Sequence, residues 1–111
     1  MSILFFKLMI GHAFSDFVFQ SDWMAKHKNP NCKIDERLSG RQSIQIIWPY
    51  VLTAHALVNG GIVYIITDNL NFGFFEFVIH WMLDFGKCKN WYGVHADQSA
   101  HILCKLLWSV L

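Results

Sequence analysis

Residues 44–67 read IQIIWPYVLTAHALVNGGIVYIIT and contain no Asp, Glu, Lys or Arg. A helix over this range is about 36 Å long at about 1.5 Å per residue, and a bilayer hydrocarbon core is about 30 Å thick. Ser43 precedes the range and is a residue type that caps helix N-termini. Residues 68–71, Asp-Asn-Leu-Asn, follow it and are typical of a tight turn. The sequence therefore predicts a membrane-spanning helix over 44–67.

The composition of the whole chain agrees with a membrane environment. Hydrophobic residues make up 54% of the 111 residues and charged residues 15%, whereas an average soluble domain has about 25% charged residues. The 10 Phe and 5 Trp carry more apolar surface than the core of a soluble domain of 111 residues buries easily. The net charge of +1 gives no basis for a nucleic-acid surface. Three cysteines without C-x-x-C spacing indicate reduced thiols rather than a disulfide framework.

Three further helices are predicted around this span. The first covers 3–28, begins without a basic region and has no small-residue cleavage site, so we interpret it as a retained helix rather than a signal peptide. Asn29-Pro30-Asn31 ends it, because proline cannot continue the helical hydrogen bonds. The others cover 72–89 and 95–111, and the last is about 25 Å long, barely a span. The sequence predicts an all-α fold, a single domain over 1–111 forming an antiparallel four-helix transmembrane bundle.

The basic residues predict the orientation of this bundle. The segment that joins the first two helices, with the helix end that leads into it, holds Lys26, Lys28, Lys33, Arg37 and Arg41. The segment between the last two helices holds Lys87 and Lys89, and the turn at 68–71 holds none. Both basic segments lie on the same side of a four-helix serpentine. By the positive-inside rule that side is cytoplasmic, and the termini face outward.

Polar residues recur on one face of these helices. His12/Asp16, His80/Asp84 and Asp97/His101 are each four residues apart and therefore share a helix face. His55 lies near the middle of the second helix. The predicted topology brings all of these groups to the cytoplasmic half of the bundle. Because ionisable groups in membrane segments normally face the interior, pair with one another and mark a site, we expect a functional cluster there.

Imidazole and carboxylate groups together are the ligands of Zn²⁺ and similar divalent metals. The candidate metal ligands are His12, Asp16, His55, His80, Asp84, Asp97 and His101. The candidate catalytic residues are Asp16, Asp84, Gln20 and Lys87, with Gln98 in support. One hypothesis is a membrane-bound metal-dependent hydrolase whose substrate is a lipid or lipid-linked phosphate at the cytoplasmic leaflet, held by Lys87 and its basic neighbours.

Other interpretations of the same residues stay open. The cluster is also compatible with an interhelical hydrogen-bond network, in which each bond contributes about 0.6–2 kcal/mol, or with a proton relay. The alternative function is then a non-enzymatic interaction protein, which binds another membrane protein or a second copy of itself in the bilayer. A soluble helical domain with buried histidines is a third interpretation, and the uncharged residues 44–67 disfavour it.

Four ordered motifs resemble those of the bacterial and phage membrane protein family called domain of unknown function 3307. They are Gly11-His12 with Asp16-Phe17, Gln20, Asp22-Trp23-Met24-Ala25 and Lys28; His55-Ala56-Leu57-Val58-Asn59-Gly60; His80-Trp81-Met82-Leu83-Asp84 with Lys87; and Asp97-Gln98-Ser99-Ala100-His101. Asn59 departs from the family pattern, which has His there, so a metal role at that position is in doubt.

The resemblance implies a small helical membrane protein without an assigned activity. It places the chain in a bacterial inner membrane, or in the host membrane if a phage encodes it, where it would modulate host envelope or defence functions. The His/Asp pattern of the family is similar to that of predicted membrane-bound metal-dependent hydrolases, and this link is an analogy only.

Overall fold

The computed structural model describes residues 2–18, 20–29 and 47–111, and within these ranges every regular element is helical. The elements are α1 (Ile3–Ala13), a π-helical segment (Phe14–Val18), α2 (Asp22–His27), α3 (Trp48–Thr67), α4 (Leu70–Cys88) and α5 (Val94–Val110). The all-α prediction is confirmed for the described residues, which contain five α-helices rather than the four predicted. The Ser43 cap, the first residues of the predicted helix 44–67, and Lys33, Arg37 and Arg41 lie outside the described residues.

The predicted single helix over 3–28 is wrong, because the structure divides it. Helix α1 passes into the π-helical segment, in which Ser15 and Asp16 are buried. The Gln20 side-chain amide then donates to the Asp16 carbonyl oxygen at 3.3 Å. The Ser21 hydroxyl oxygen accepts a hydrogen bond from the Met24 backbone N–H at 3.1 Å and so begins a new helix, α2. The buried Asp16 thus lies in the π-helical segment that precedes the break.

The predicted tight turn between α3 and α4 is present. Asp68 ends α3 in the left-handed region, with φ 53°. Asn69 caps α4, since its side-chain oxygen accepts from the backbone N–H groups of Asn71 at 3.0 Å and Phe72 at 3.3 Å. Helix α4 therefore begins at Leu70, two residues before the predicted start. So short a turn makes α3 and α4 an antiparallel pair.

A second turn brings α4 and α5 together at the other end of the molecule. Asn90 has φ 62°, a conformation that asparagine tolerates better than most residues. The Tyr92 ring packs on Gly86, and its hydroxyl donates to the Leu83 carbonyl oxygen. Burial raises the pKa of the Tyr92 phenol above its ordinary value. This turn places the start of α5, with Asp97, beside the end of α4.

Two glycines allow α3 and α4 to approach closely. A Cβ atom added at Gly60 would lie 2.6 Å from the Gly73 carbonyl oxygen, and one added at Gly73 would lie 2.7 Å from the Tyr64 Cβ. Small residues at helix interfaces permit such approaches, which are common where helices pack in membranes. The shared face of α3 and α4, which carries His55 and His80, depends on this contact.

The variant Gly60→Ala is expected to lose about 1–3 kcal/mol of stability, because the added methyl meets a backbone oxygen that cannot move away without displacing α4. The matched control is Gly61→Ala, since a Cβ atom at Gly61 meets nothing within 4 Å. Thermal unfolding of both variants in the same detergent, followed by circular dichroism, measures the difference. Equal midpoints for the two variants would contradict the close-packing argument.

In the part of the chain that the structure describes, the buried side chains are polar more often than apolar. Twelve polar or charged residues are buried there, against seven hydrophobic ones. The buried apolar cluster of Leu8, Val63 and Trp108 lies at the end of the molecule that holds the α3–α4 turn. Of the helices within the described ranges, α3 is the one long and apolar enough to cross a membrane by length and composition.

Candidate metal centre

Six buried side chains from four segments meet in the interior, and we call them the His/Asp cluster. The π-helical segment contributes one, α3 one, and α4 and α5 two each; none is more than 7% exposed. The members are Asp16, His55, His80, Asp84, Asp97 and His101. The i, i+4 spacing on α4 and α5 turns both members of each pair toward the same interior.

Asp16, His55 and His80 form the first half of the cluster. The Asp16 Oδ1 atom lies 3.3 Å from His55 Nε2 and 3.5 Å from His80 Nε2. The two Nε2 atoms face each other at 3.2 Å. Three donor atoms of the kinds that divalent metals prefer thus surround one point, all within 4.8 Å of one another.

Asp84, Asp97 and His101 form the second half. The His101 Nε2 atom lies 3.2 Å from Asp84 Oδ1 and 3.3 Å from Asp97 Oδ1. These three residues also offer donor atoms within 4.8 Å of one another. The second oxygen of Asp84, Oδ2, lies 3.2 Å from His55 Nε2 and 3.5 Å from His80 Nε2. Asp84 therefore joins the two halves.

The spacing of these atoms fits the coordination shell of a metal ion. An ion with bonds of about 2.1 Å has neighbouring ligand atoms about 3.0 Å apart in an octahedral shell and about 3.4 Å apart in a tetrahedral one. The contacts within the cluster are 3.2–3.5 Å. Among the described residues, four buried atoms have no hydrogen-bond partner: His12 Nδ1, Asp16 Oδ1, Asp97 Oδ1 and His101 Nδ1. Buried polar atoms are normally paired, and two of these four, Asp16 Oδ1 and Asp97 Oδ1, face the cluster, where a metal ion would provide a partner.

Glu76 orients one of the imidazoles. Its Oε1 atom lies 3.4 Å from His80 Nδ1, so a proton on Nδ1 donates to the carboxylate and leaves the Nε2 lone pair directed into the cluster. Glu76 is itself held by Lys105, which contacts Oε1, and by the Trp108 indole N–H, which donates to Oε2 at 2.7 Å. Glu76 also lies near His101, and its carboxylate and the two imidazoles offer a third group of donor atoms within 4.8 Å.

Gln98 connects His12 to the cluster. The His12 Nε2 atom lies 2.9 Å from Gln98 Oε1, which acts as the acceptor when Nε2 carries the proton. The Gln98 amide nitrogen donates to Asp16 Oδ2 at 3.3 Å and to Asp97 Oδ2 at 3.5 Å. His12 Nδ1 is 3.7 Å from Asp16 Oδ2, so His12 lies at the margin of the cluster.

Two lysines contact carboxylates of the His/Asp cluster, Lys28 that of Asp84 and Lys87 that of Asp97. The Lys28 Nζ atom donates to Asp84 Oδ2 at 2.9 Å and to Gln20 Oε1 at 2.6 Å, and Lys28 is buried. Lys87 Nζ lies 3.6 Å from Asp97 Oδ2, and its side chain is 28% exposed. Lys87 therefore contacts the cluster at one end and is partly exposed at the surface.

The structure brings together all the residues that the sequence singles out. His55, His80, His101 and the three aspartates lie within the cluster, while His12, Gln20, Gln98 and Lys87 contact it from its edges. Asn59 hydrogen-bonds with Ser15 and with the His55 carbonyl oxygen, and among the contacts of the described residues it has none to the clustered aspartates.

Three residues in or beside the site were not predicted as site residues from the sequence: Lys28, Glu76 and Lys105. Glu76 and Lys105 each lie four residues from a cluster histidine, on the face that the same spacing rule selects, so a signal existed for both. The contact of Lys28 with Asp84 depends on the break before α2, which has no counterpart in the residue pattern.

Comparison with known proteins places residues 4–110 within one family model, described as "Protein of unknown function (DUF3307)". The match covers nearly the whole chain and confirms the resemblance drawn from the four motifs. No curated protein and no solved structure matches the chain.

Proposed function

The chain belongs to the DUF3307 family, and we propose that it is an integral membrane protein that holds divalent metal in the His/Asp cluster and hydrolyses a lipid or lipid-linked phosphate. The observation that carries the proposal is the convergence of three imidazoles and three carboxylates from four segments at one buried place. So many buried ionisable groups are costly unless they pair with one another or with a ligand, and buried groups of this kind in membrane segments commonly mark a functional site.

Lipid fits the distribution of side chains better than water does. Charged groups face the interior, whereas large apolar side chains such as Tyr50, Ile65 and Leu103 are 64–78% exposed. In water this arrangement would hydrate a large apolar surface. In a bilayer the apolar surface contacts lipid, and the charged groups pair with one another. The end of the molecule that carries Lys28 and Lys87 then faces the cytoplasm, as the positive-inside rule requires.

The charge of the interior favours a divalent cation. Among the described residues, four buried carboxylates, those of Asp16, Glu76, Asp84 and Asp97, face two buried ammonium groups, those of Lys28 and Lys105. With neutral imidazoles two negative charges have no buried cation to compensate them, and the partly exposed Lys87 offsets one of the two, that of Asp97. A divalent ion offsets the remainder in a medium where an unpaired charge is very costly. Neutral imidazole is also the form of histidine that binds a metal.

When bound by these residues, a metal ion would supply Lewis acidity toward a phosphoryl group and a water molecule. The chain itself binds and orients the substrate. Lys87, half-buried beside Asp97, is placed to contact an anionic headgroup that approaches from the interface, and Gln20 holds Lys28 against Asp84. A phosphate attached to a lipid brings its charge to this depth without leaving the bilayer, which is why a lipid phosphate suits the site.

The test begins with membranes that contain the full chain. We expect alkaline carbonate to leave the protein in the membrane pellet. Detergent-purified protein is then expected to carry zinc, manganese or iron in near-stoichiometric amounts, measured by elemental analysis. The variant His80→Ala should lose the metal, because it removes a nitrogen that faces both Asp16 and Asp84. Wild-type protein is expected to release phosphate from vesicles that contain a lipid phosphate, and chelation should stop the release.

The matched control is His95→Ala, since His95 is exposed at the start of α5. It should retain both metal and activity. Extraction of the wild type by carbonate would contradict the membrane assignment. A well-folded wild type without metal would contradict the metal site, and a metal-loaded wild type that releases no phosphate would contradict the hydrolase.

A second candidate function is a non-enzymatic membrane protein whose cluster holds the helices together for a partner or a second copy. The observation that favours it is internal neutralisation, because Lys28 pairs with Asp84 and Lys105 with Glu76 within the chain itself. Metal-free wild type with an intact fold, together with loss of folding in His80→Ala, is the outcome that selects it.

A further inference from the structure

The two oxygens of Asp84 face different parts of the His/Asp cluster. Oδ1 lies 3.2 Å from His101 Nε2, while Oδ2 lies 3.2 Å from His55 Nε2 and 3.5 Å from His80 Nε2. Lys28 donates to Oδ2 as well, but a carboxylate oxygen accepts more than one contact. A carboxylate in this position has the geometry of a bridge between two ions, one on each side.

The carboxylate oxygens that face the imidazoles are distributed in the same way. Asp16 Oδ1 lies in the first half and Asp97 Oδ1 in the second, and each lies 3.3–3.5 Å from imidazole Nε2 atoms without a well-formed hydrogen bond to a described residue. Gln98 holds the other oxygen of each carboxylate, at 3.3 Å for Asp16 and 3.5 Å for Asp97. One amide thus holds two carboxylates so that the Oδ1 atom of each faces a different set of imidazoles.

Two of the three groups of donor atoms share no residue, and each lies within 4.8 Å. Asp16, His55 and His80 form one of these two groups, and Asp84, Asp97 and His101 form the other. Each group supplies three protein ligands, which is the number that catalytic metal sites use while keeping an open position. Asp84, whose Oδ1 atom faces the second group, also presents its Oδ2 atom as a ligand to the first group.

The charge explains why a second ion would serve a phosphate substrate. Asp16, Asp84 and Asp97 with the neighbouring Lys28 and Lys87 carry one negative charge in total when the imidazoles are neutral. One divalent ion makes this set positive by one charge, and two make it positive by three. A phosphate dianion is therefore attracted more strongly to a site with two ions than to a site with one. In two-metal phosphate-transferring sites the ions lie about 3.5–4 Å apart, a distance that one carboxylate spans.

We infer that the His/Asp cluster is a dinuclear centre in which Asp84 bridges two divalent ions. The first ion is bound by Asp16, His55 and His80, and the second by Asp97 and His101. Gln98 is a positioning residue that orients both terminal carboxylates. The inference rests on the proposed function in one respect, that the cluster binds metal, and it adds the number of ions, their ligands and the bridge.

The experiment uses the full chain in detergent, stripped with a chelator and loaded with Mn²⁺. Wild type is expected to bind two Mn²⁺ per chain, and its electron paramagnetic resonance spectrum should show an exchange-coupled pair, with hyperfine lines at half the spacing of an isolated ion. The variant Asp97→Asn should bind one Mn²⁺ and give the six-line spectrum of an isolated ion. The control Asp68→Asn, at an exposed left-handed position that asparagine tolerates, should behave as wild type.

Each other outcome overturns a distinct statement. One Mn²⁺ per wild-type chain would refute the dinuclear centre and leave the metal-dependent function standing, whereas no bound Mn²⁺ in folded protein would refute both. Two ions without exchange coupling would refute the Asp84 bridge. If Asp97→Asn fails to fold, His101→Gln removes a ligand of the same ion and the wild-type spectrum still decides the number of ions.

Discussion

Replacement of Asp84 by asparagine is expected to reduce metal affinity by more than about 100-fold and to stop metal-dependent release of phosphate. Loss of an outer partner of a metal ligand costs about 10–100-fold in affinity or activity. Asp84 is 1% exposed, and its two oxygens contact three imidazoles and Lys28. Removal of its charge weakens every one of these contacts, so the loss should exceed that range.

The comparison with Gln98→Ala makes this prediction quantitative. Gln98 contacts carboxylates and His12 but no metal position directly, so its replacement should fall within the outer-partner range, about 10–100-fold in metal affinity. Competition between the protein and a fluorescent chelator measures both affinities. The exposed carboxylate Asp22 provides the control, since Asp22→Asn should leave the affinity unchanged.

Folding has to be separated from binding in the Asp84 variant, because the substitution leaves the buried Lys28 ammonium without its charged partner. The double variant Lys28→Met/Asp84→Asn removes both charges and should recover much of the stability that the single variant loses. It should not recover metal affinity. If the double variant bound metal as tightly as wild type, Asp84 would not be a ligand.

The sequence could predict the members of the His/Asp cluster because the relevant rule is local. Residues four apart share a helix face, and pairs such as His80/Asp84 and Asp97/His101 follow that rule within a single regular helix. The uncharged range 44–67 likewise predicted α3 over the part that the structure describes, 48–67. The four-residue spacing is enough to predict the shared helix face, and the length of the uncharged range is enough to predict the helix.

The sequence could not predict features that depend on irregular backbone. The π-helical segment, Phe14–Val18, contains no glycine or proline that would mark an irregular backbone, and after the break that follows it Ser21 caps a new helix. Lys28 reaches Asp84 because of this break. Likewise, the asymmetric use of the Asp84 oxygens depends on how α3, α4 and α5 pack, and no single-helix pattern encodes such packing.

Replacement of Lys105 by methionine is expected to cost about 3–5 kcal/mol of stability, because it leaves the Glu76 carboxylate buried without its cation. Lys105 is 2% exposed and Glu76 1%, and the two form an ion pair. The Trp108 indole N–H and His80 contact the carboxylate as well, but of its partners Lys105 alone carries a permanent charge. Unfolding in mixed micelles, followed by circular dichroism, measures the loss, and Lys7→Met is the control at an exposed lysine.

The double variant Glu76→Gln/Lys105→Met separates the contribution of the ion pair to stability from the contribution of Glu76 to metal affinity. Removal of both charges should restore most of the stability, because neither partner remains unpaired in the interior. Metal affinity should nevertheless stay about 10–100-fold below that of wild type, because the neutral amide no longer supplies a carboxylate to orient His80. If stability and metal affinity recovered together, Glu76 would serve only to balance Lys105. If stability did not recover, the ion pair would not be the source of the loss in Lys105→Met.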